Sequence, residues 1–139
     1  MRVTLDTNQF LRSLMRPPEL ATFIMAWQAR RFTVVCSTQL LEEYETTLTY
    51  PKIAKLIFPE LRRMFLTQLV HEMELVALPQ IDAICRDPDD DKVIATAVYG
   101  GVDYLATTDE DLRVEPVCSI LRAQGIRLTT IDEILTLLT

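Results

Sequence analysis

Apolar positions along the chain follow two rhythms. Short β-rich runs at Val3-Thr4-Leu5, Phe32-Thr33-Val34-Val35-Cys36, Tyr104-Leu105-Ala106-Thr107 and Ile126-Arg127-Leu128-Thr129 predict strands. The second and third are nearly continuous, as strands buried on both faces of a parallel sheet are. Between these runs the apolar residues recur at helical spacing. Leu20, Phe23, Ile24 and Trp27 predict a helix over 19–30, and Leu40, Leu41, Tyr44 and Leu48 one over 39–48, capped by Ser37 or Thr38. Leu61, Phe65, Leu69 and Met73 predict a long amphipathic helix over 60–76, leaving through a short strand at 76–79.

Shorter helices are expected over 9–15, 52–58, 92–99 and 116–124. Thr130-Ile131-Asp132-Glu133 has the capping-box pattern and opens a last helix to Leu138. Arg16-Pro17-Pro18, Pro51 and Pro59 punctuate the pattern, and Gly100-Gly101 ends the helix before the third strand. Strands alternating with helices predict an α/β fold, a three-layer α/β/α sandwich with a largely parallel central sheet, forming one domain over residues 1–139.

Composition narrows the class. The 139 residues are 49% hydrophobic and 24% charged, enough apolar material for one real core. No apolar run approaches the length of a membrane span, and the chain enters its first strand without a signal pattern, so a cytoplasmic location and no membrane partner are expected. Cys36, Cys85 and Cys118 are widely spaced and form no CxxC pair, which disfavours a thiolate zinc site or a disulfide framework. His71 is the sole histidine and sits in a helical pattern, so it reads as structural or surface. A net charge of −6 speaks against a general nucleic-acid binder, whose footprint is basic. It leaves room for an enzyme whose acidic pocket holds metal ions. Arg12 with Arg16, Arg30 with Arg31, and Arg62 with Arg63 form local pairs able to touch phosphates, or simply to solvate helix faces.

The candidate chemistry is carboxylate chemistry. Asp6 follows the first strand, Glu43 lies in the helix after the second, Asp91 opens the helix before the third, and Asp109 follows the third. Parallel strands end on one edge, so the four acids can converge there. Packed carboxylates repel, and hard divalent cations such as Mg²⁺ or Mn²⁺ are their natural counter-charge. Two such ions can activate water and stabilise the leaving oxygen of a phosphodiester without a histidine base. Glu43 and Glu42 are not separable by spacing. In the run Asp87-Pro88-Asp89-Asp90-Asp91, the first three acids read as solvated or helix-dipole residues, and Asp91 as the best placed. Thr107, Thr108 and Asp111 are placed to order the pocket by hydrogen bonds, or to form a plain turn.

These segments resemble the PIN-domain ribonucleases, in particular the VapC-like toxins of prokaryotic toxin–antitoxin pairs. The resemblance covers nearly the whole chain. It rests on the stretch 3–8 ending Asp6-Thr7-Asn8, on 37–44 with a Glu six positions after Ser37, on 86–97, and on 103–112. It assigns the family's acids to Asp6, Glu43, Asp91 and Asp109, with Asn8 and Thr107 in support. Thr108 departs from the pattern, since related chains often carry Gly, Arg or Asn there. The resemblance implies metal-dependent cleavage of single-stranded RNA, a homodimer and a cognate antitoxin protein.

Three other readings compete, among them a receiver domain, which also has an acidic Mg²⁺ pocket but needs paired acids after the first strand and a phospho-acceptor Asp after the third in a different pattern. A haloacid-dehalogenase-like phosphatase also starts with a strand ending in Asp, but needs a second Asp two residues on, where this chain has Asn8. A catalytically weak PIN module acting only by binding RNA or protein is the non-enzymatic alternative.

Overall fold

A computed structural model of the chain describes residues 1–15 and 18–138, with the backbone alone at 19, 20, 61, 65, 68 and 69. Arg16 and Pro17 lie outside the described residues, as do the side chains of Leu20, Leu61, Phe65 and Leu69. The sheet has five strands: β1 (Arg2–Leu5), β2 (Thr33–Ser37), β3 (Glu74–Val76), β4 (Tyr104–Ala106) and β5 (Arg127–Thr129). Their order is β3-β2-β1-β4-β5, and every pairing is parallel. Val3 stands opposite Val34 on one side and Tyr104 on the other. From β1 the chain first builds outward to β2 and β3, then returns past β1 to add β4 and β5. The carboxyl end of β1 is therefore the switch point where open α/β sheets form their crevice.

Helices α1 (Thr7–Leu14) and α2 (Pro18–Gln28) connect β1 to β2, and α3 (Thr38–Leu48), α4 (Pro51–Ala54) and α5 (Pro59–Glu72) connect β2 to β3. A 3₁₀ turn at Pro88–Asp90 runs into α6 (Asp91–Tyr99), which packs on β1 and β2. After β4, a second 3₁₀ turn (Glu110–Arg113) and α7 (Val117–Ala123) lead to β5, and α8 (Ile131–Leu138) packs against α2. Val3, Thr4 and Leu5 are all fully buried, so both faces of the central strand are covered. Among the described residues no helix is long and apolar enough to cross a membrane.

Local chemistry accounts for the element ends. Ser37 caps α3 by accepting from the Leu40 N–H at 3.2 Å. At α8 half of the expected capping box forms. Thr130 Oγ1 accepts from the Glu133 N–H, while the Glu133 carboxylate takes the Thr129 hydroxyl instead. Gly100 ends α6 where β2 comes close, since a Cβ there would lie 2.5 Å from Val35 Cγ1; Gly101 then turns the chain at φ 57°.

The structure departs from the sequence pattern in two places. The helix expected over 60–76 stops at Glu72, and the short strand expected at 76–79 comes earlier, as β3 at Glu74–Val76. Glu74 and Val76 pair with Val35 and Ser37, and Glu74 takes both ends of the Arg2 guanidinium, at 2.6 and 3.0 Å. Those partners lie far back in the chain, so periodicity within 60–76 carries no trace of them. The helix expected over 52–58 is the single turn Pro51–Ala54.

Tyr44 ties α3 to the centre of the fold. Its ring stacks on Phe10 of α1, with centroids 4.1 Å apart and planes 6° apart, and its hydroxyl donates to the Leu5 carbonyl at the end of β1. Tyr44→Phe keeps the stack and loses the hydrogen bond, so it should cost about 1 kcal/mol in denaturant unfolding. Tyr44→Ala, which also leaves a cavity, should cost about 3–5 kcal/mol.

Candidate functional site

Asp6 leaves β1 and caps α1. Its Oδ1 accepts from the Gln9 N–H at 2.8 Å, and its Oδ2 accepts from the Thr107 hydroxyl just beyond β4. Thr107 is fully buried and its Oγ1 also accepts from the Asp109 N–H at 3.0 Å. Asp109 in turn caps the following 3₁₀ turn through the Asp111 N–H at 2.9 Å. One threonine thus locks the ends of two adjacent strands, and with them two acids, into a fixed relation. A carboxylate has about four lone-pair sites, so Asp6 can hold both donors and still face a cation.

Glu43 arrives from α3. Leu40, Tyr44 and Leu48 are buried, which turns Glu42 to solvent and Glu43 to the α1 and α6 edge. Its Oε2 accepts from the Thr7 hydroxyl, and its Oε1 pairs with Lys92 Nζ at 2.8 Å. Thr7 and Lys92 were not singled out in the sequence. The signal for Lys92 was its place directly after the acidic run, as the second residue of the helix that Asp91 opens.

In the acidic run the structure places Asp90 at the pocket and leaves Asp91, the residue chosen from the sequence, outside its lining. Asp90, not Asp91, lines the pocket of about 230 Å³ that holds Asp6, Asn8, Glu43 and Asp109, with Thr47 and Tyr50 at its rim. Asp91 is buried, and its Oδ1 accepts from the Ile84 and Cys85 N–H groups at 3.0 and 2.7 Å. It lines a separate crevice with Asp82, Ile94 and Ile120. The geometry thus turns Asp91 toward the 82–85 segment as a backbone staple. The physical reason is the 3₁₀ turn, which sets Asp90 on the side of β1 and Asp91 one helical step away. Asp87 caps that turn through the Asp89 N–H, and Asp89 is exposed. Thr108 is exposed beside Asn8 on a neighbouring groove.

Among the described residues Asp90, Asp109 and Asp111 each offer a carboxylate oxygen, all within 4.8 Å of one another. Ligands about 2.1 Å from Mg²⁺ span distances of this order, and all three donors are hard oxygens, so the residues fit Mg²⁺ or Mn²⁺. Arg86 lies 3.7 Å from Asp111 at the exposed margin.

The cluster carries its cost in its acidities. Burial raises the Asp6 carboxyl, Thr107 and the Gln9 N–H pull it back, and the charges of Asp109 and Glu43 push it up again. Asp90 is pushed up to about 6, by burial first and then by Asp109, Asp87, Asp111 and Glu43. Asp91 differs: burial works to raise it, but the Cys85 and Ile84 N–H donors outweigh that and hold it below the usual range.

For Asp90 and Asp6 the folded state keeps its protons to higher pH than the unfolded chain does. Stability of the metal-free protein should therefore fall as pH rises from the ordinary carboxyl value of 3.8 through about 6. Thermal melts in chelator should show a Tm a few degrees lower at pH 7 than at pH 5. Asp90→Asn should flatten that slope and raise Tm at pH 7, and saturating Mg²⁺ should raise Tm more at pH 7 than at pH 5. A slope unchanged by Asp90→Asn would contradict the assignment.

No curated protein and no solved structure matches the chain. A family model described as PIN domain matches residues 2–111. The matched stretch runs from the first strand through the turn of Asp109 and Asp111, and so takes in every acid of the pocket. On a match over so much of its length, the chain belongs to the PIN domain family.

Proposed function

We propose that this single PIN domain is a metal-dependent endoribonuclease that hydrolyses single-stranded RNA. PIN domains are generally nucleases. The observation that carries the reading is the convergence of Asp6, Glu43, Asp90 and Asp109 on one pocket at the sheet's switch point. A divalent ion bound there supplies an activated water and positive charge for the leaving oxygen of a phosphodiester. Asp90, Asp109 and Asp6 are the holding acids, with Asp111 closing the margin. Asp90 takes the place that the sequence reading gave to Asp91.

Glu43 is held by Thr7 and Lys92, in reach of the pocket but braced from behind. That suits a carboxylate that orients and deprotonates water better than one that only holds the ion. Thr107 is a positioning residue that acts through Asp6 and Asp109. Tyr50, half exposed at the rim, offers an aromatic face to an unpaired base, which supports a single-stranded substrate. Asn8 in place of a second acid disfavours the phosphatase alternative.

The toxin role, the cognate antitoxin and the homodimer enter with the family resemblance and belong to this proposal. Leu56, Phe58 and Met64, each about two-thirds exposed or more, offer an apolar surface for a dimer contact.

The test is cleavage of single-stranded RNA by the purified protein over a Mg²⁺ titration. Asp6→Asn and Asp90→Asn should each lose about 10²-fold or more in rate, on the order of 3 kcal/mol of transition-state stabilisation. Asp89→Asn should change little. Asp91→Asn should lower thermal stability yet keep most of its activity at temperatures where it stays folded. Full activity of the parent in excess chelator would sink the reading. Loss of activity confined to a folded Asp91→Asn would return the role to Asp91.

A further inference from the structure

Beside the acidic pocket lies a larger groove of about 460 Å³, within the size range of small-ligand sites, about 300–1,000 Å³. The two share a wall at Asn8, whose exposed side chain makes no hydrogen bond among the described residues. The groove combines chemistries that the acidic pocket lacks. Met15 of the turn after α1 and Ile53 of α4 give it apolar surface, Thr108 gives a hydroxyl, and Arg12 of α1 gives a cation. Arg12 is paired with Asp132 at 3.2 Å, but both side chains are more than half exposed, so the pair contributes little and can be exchanged. In a chain of net charge −6, contact with a polyanion has to pass through such local cations.

We propose that this groove is the subsite for the nucleotide next to the scissile phosphodiester of a single-stranded RNA. Arg12 holds that nucleotide's phosphate, displacing Asp132. Met15 and Ile53 take the flat face of the base, and Asn8 and Thr108 face its polar edge or sugar. A nucleotide is the occupant that matches an apolar floor, a polar wall and one exchangeable cation within a step of the acids. The proposal rests on the nuclease reading above, because the acids define where the scissile bond lies.

Binding separates the two. Fluorescence anisotropy with a labelled single-stranded oligoribonucleotide is measured on the full chain carrying Asp6→Asn, in Mg²⁺, over a salt titration. Adding Arg12→Gln should weaken binding about tenfold, the loss of one charge-assisted hydrogen bond. It should also reduce the slope of log affinity against log salt by about 0.7, the value of one single-strand phosphate contact. Arg12→Lys should restore the slope. Asp132→Asn breaks the same ion pair but removes a competitor, so it should tighten binding. Opposite shifts for Arg12→Gln and Asp132→Asn support the subsite. Shifts in the same direction, an unchanged salt slope, or no RNA binding by the Asp6→Asn protein overturn it. Failure of the nuclease reading shows elsewhere, as absence of cleavage by the parent protein in Mg²⁺ and Mn²⁺.

Discussion

A single buried hydroxyl sets the geometry on which the site depends. Thr107 Oγ1 donates to Asp6 at the end of β1 and accepts from the Asp109 N–H beyond β4. The two strands are already in parallel register, Leu5 beside Ala106, and the Asp6 N–H bonds to the Ala106 carbonyl at 3.0 Å. The hydroxyl carries that backbone order out into the side chains. Asp6 is at once the cap that starts α1 and a wall of the pocket, so the same atoms initiate a helix and line the acidic cluster. The arrangement also fixes α3, because Tyr44 reaches back to the Leu5 carbonyl and leaves Glu43 facing Thr7.

The acids are held together against their own repulsion. Lys92 is the cation paired with Glu43, and the helix N-terminal N–H of Gln9 offsets part of the charge on Asp6. Neither reaches Asp90, which burial and its acidic neighbours push up to about 6. A divalent cation bound at the proposed site would relieve that repulsion and so couple metal binding to stability. The fold supports that strain through its fully buried central strand and through the Phe10–Tyr44 stack next to the pocket.

Much of this was legible in the sequence, and the limits were physical. Asp6 and Asp109 follow unbroken β-rich runs, so their place at strand ends could be read directly. Four of the five strands and the alternation that makes the sheet parallel could be read the same way. The fifth, β3, was expected at 76–79 and lies at Glu74–Val76, because it is an edge strand whose place is set by its partners Val35, Cys36 and Ser37 and whose own residues are partly exposed. Spacing did not separate Glu43 from Glu42; the resemblance chose Glu43, and the burial of Tyr44 is what turns it inward. Asp90 was hidden for a similar reason. A run of acids around Pro88 does not announce where a 3₁₀ turn becomes an α-helix. Nor does it show that N–H groups from residues 84 and 85 will claim the next carboxylate.

The central claim is that Asp90, together with Asp6 and Asp109, holds a divalent cation while Asp91 does not. A crystal structure of the protein grown with Mn²⁺, with anomalous diffraction recorded near the manganese edge, tests it most directly. The account predicts an anomalous peak within ligand distance of the Asp90 and Asp109 carboxylates and facing Asp6, with Asp91 still bonded to the Ile84 and Cys85 N–H groups. A peak ligated by Asp91, or no peak at this pocket at saturating Mn²⁺, would contradict it.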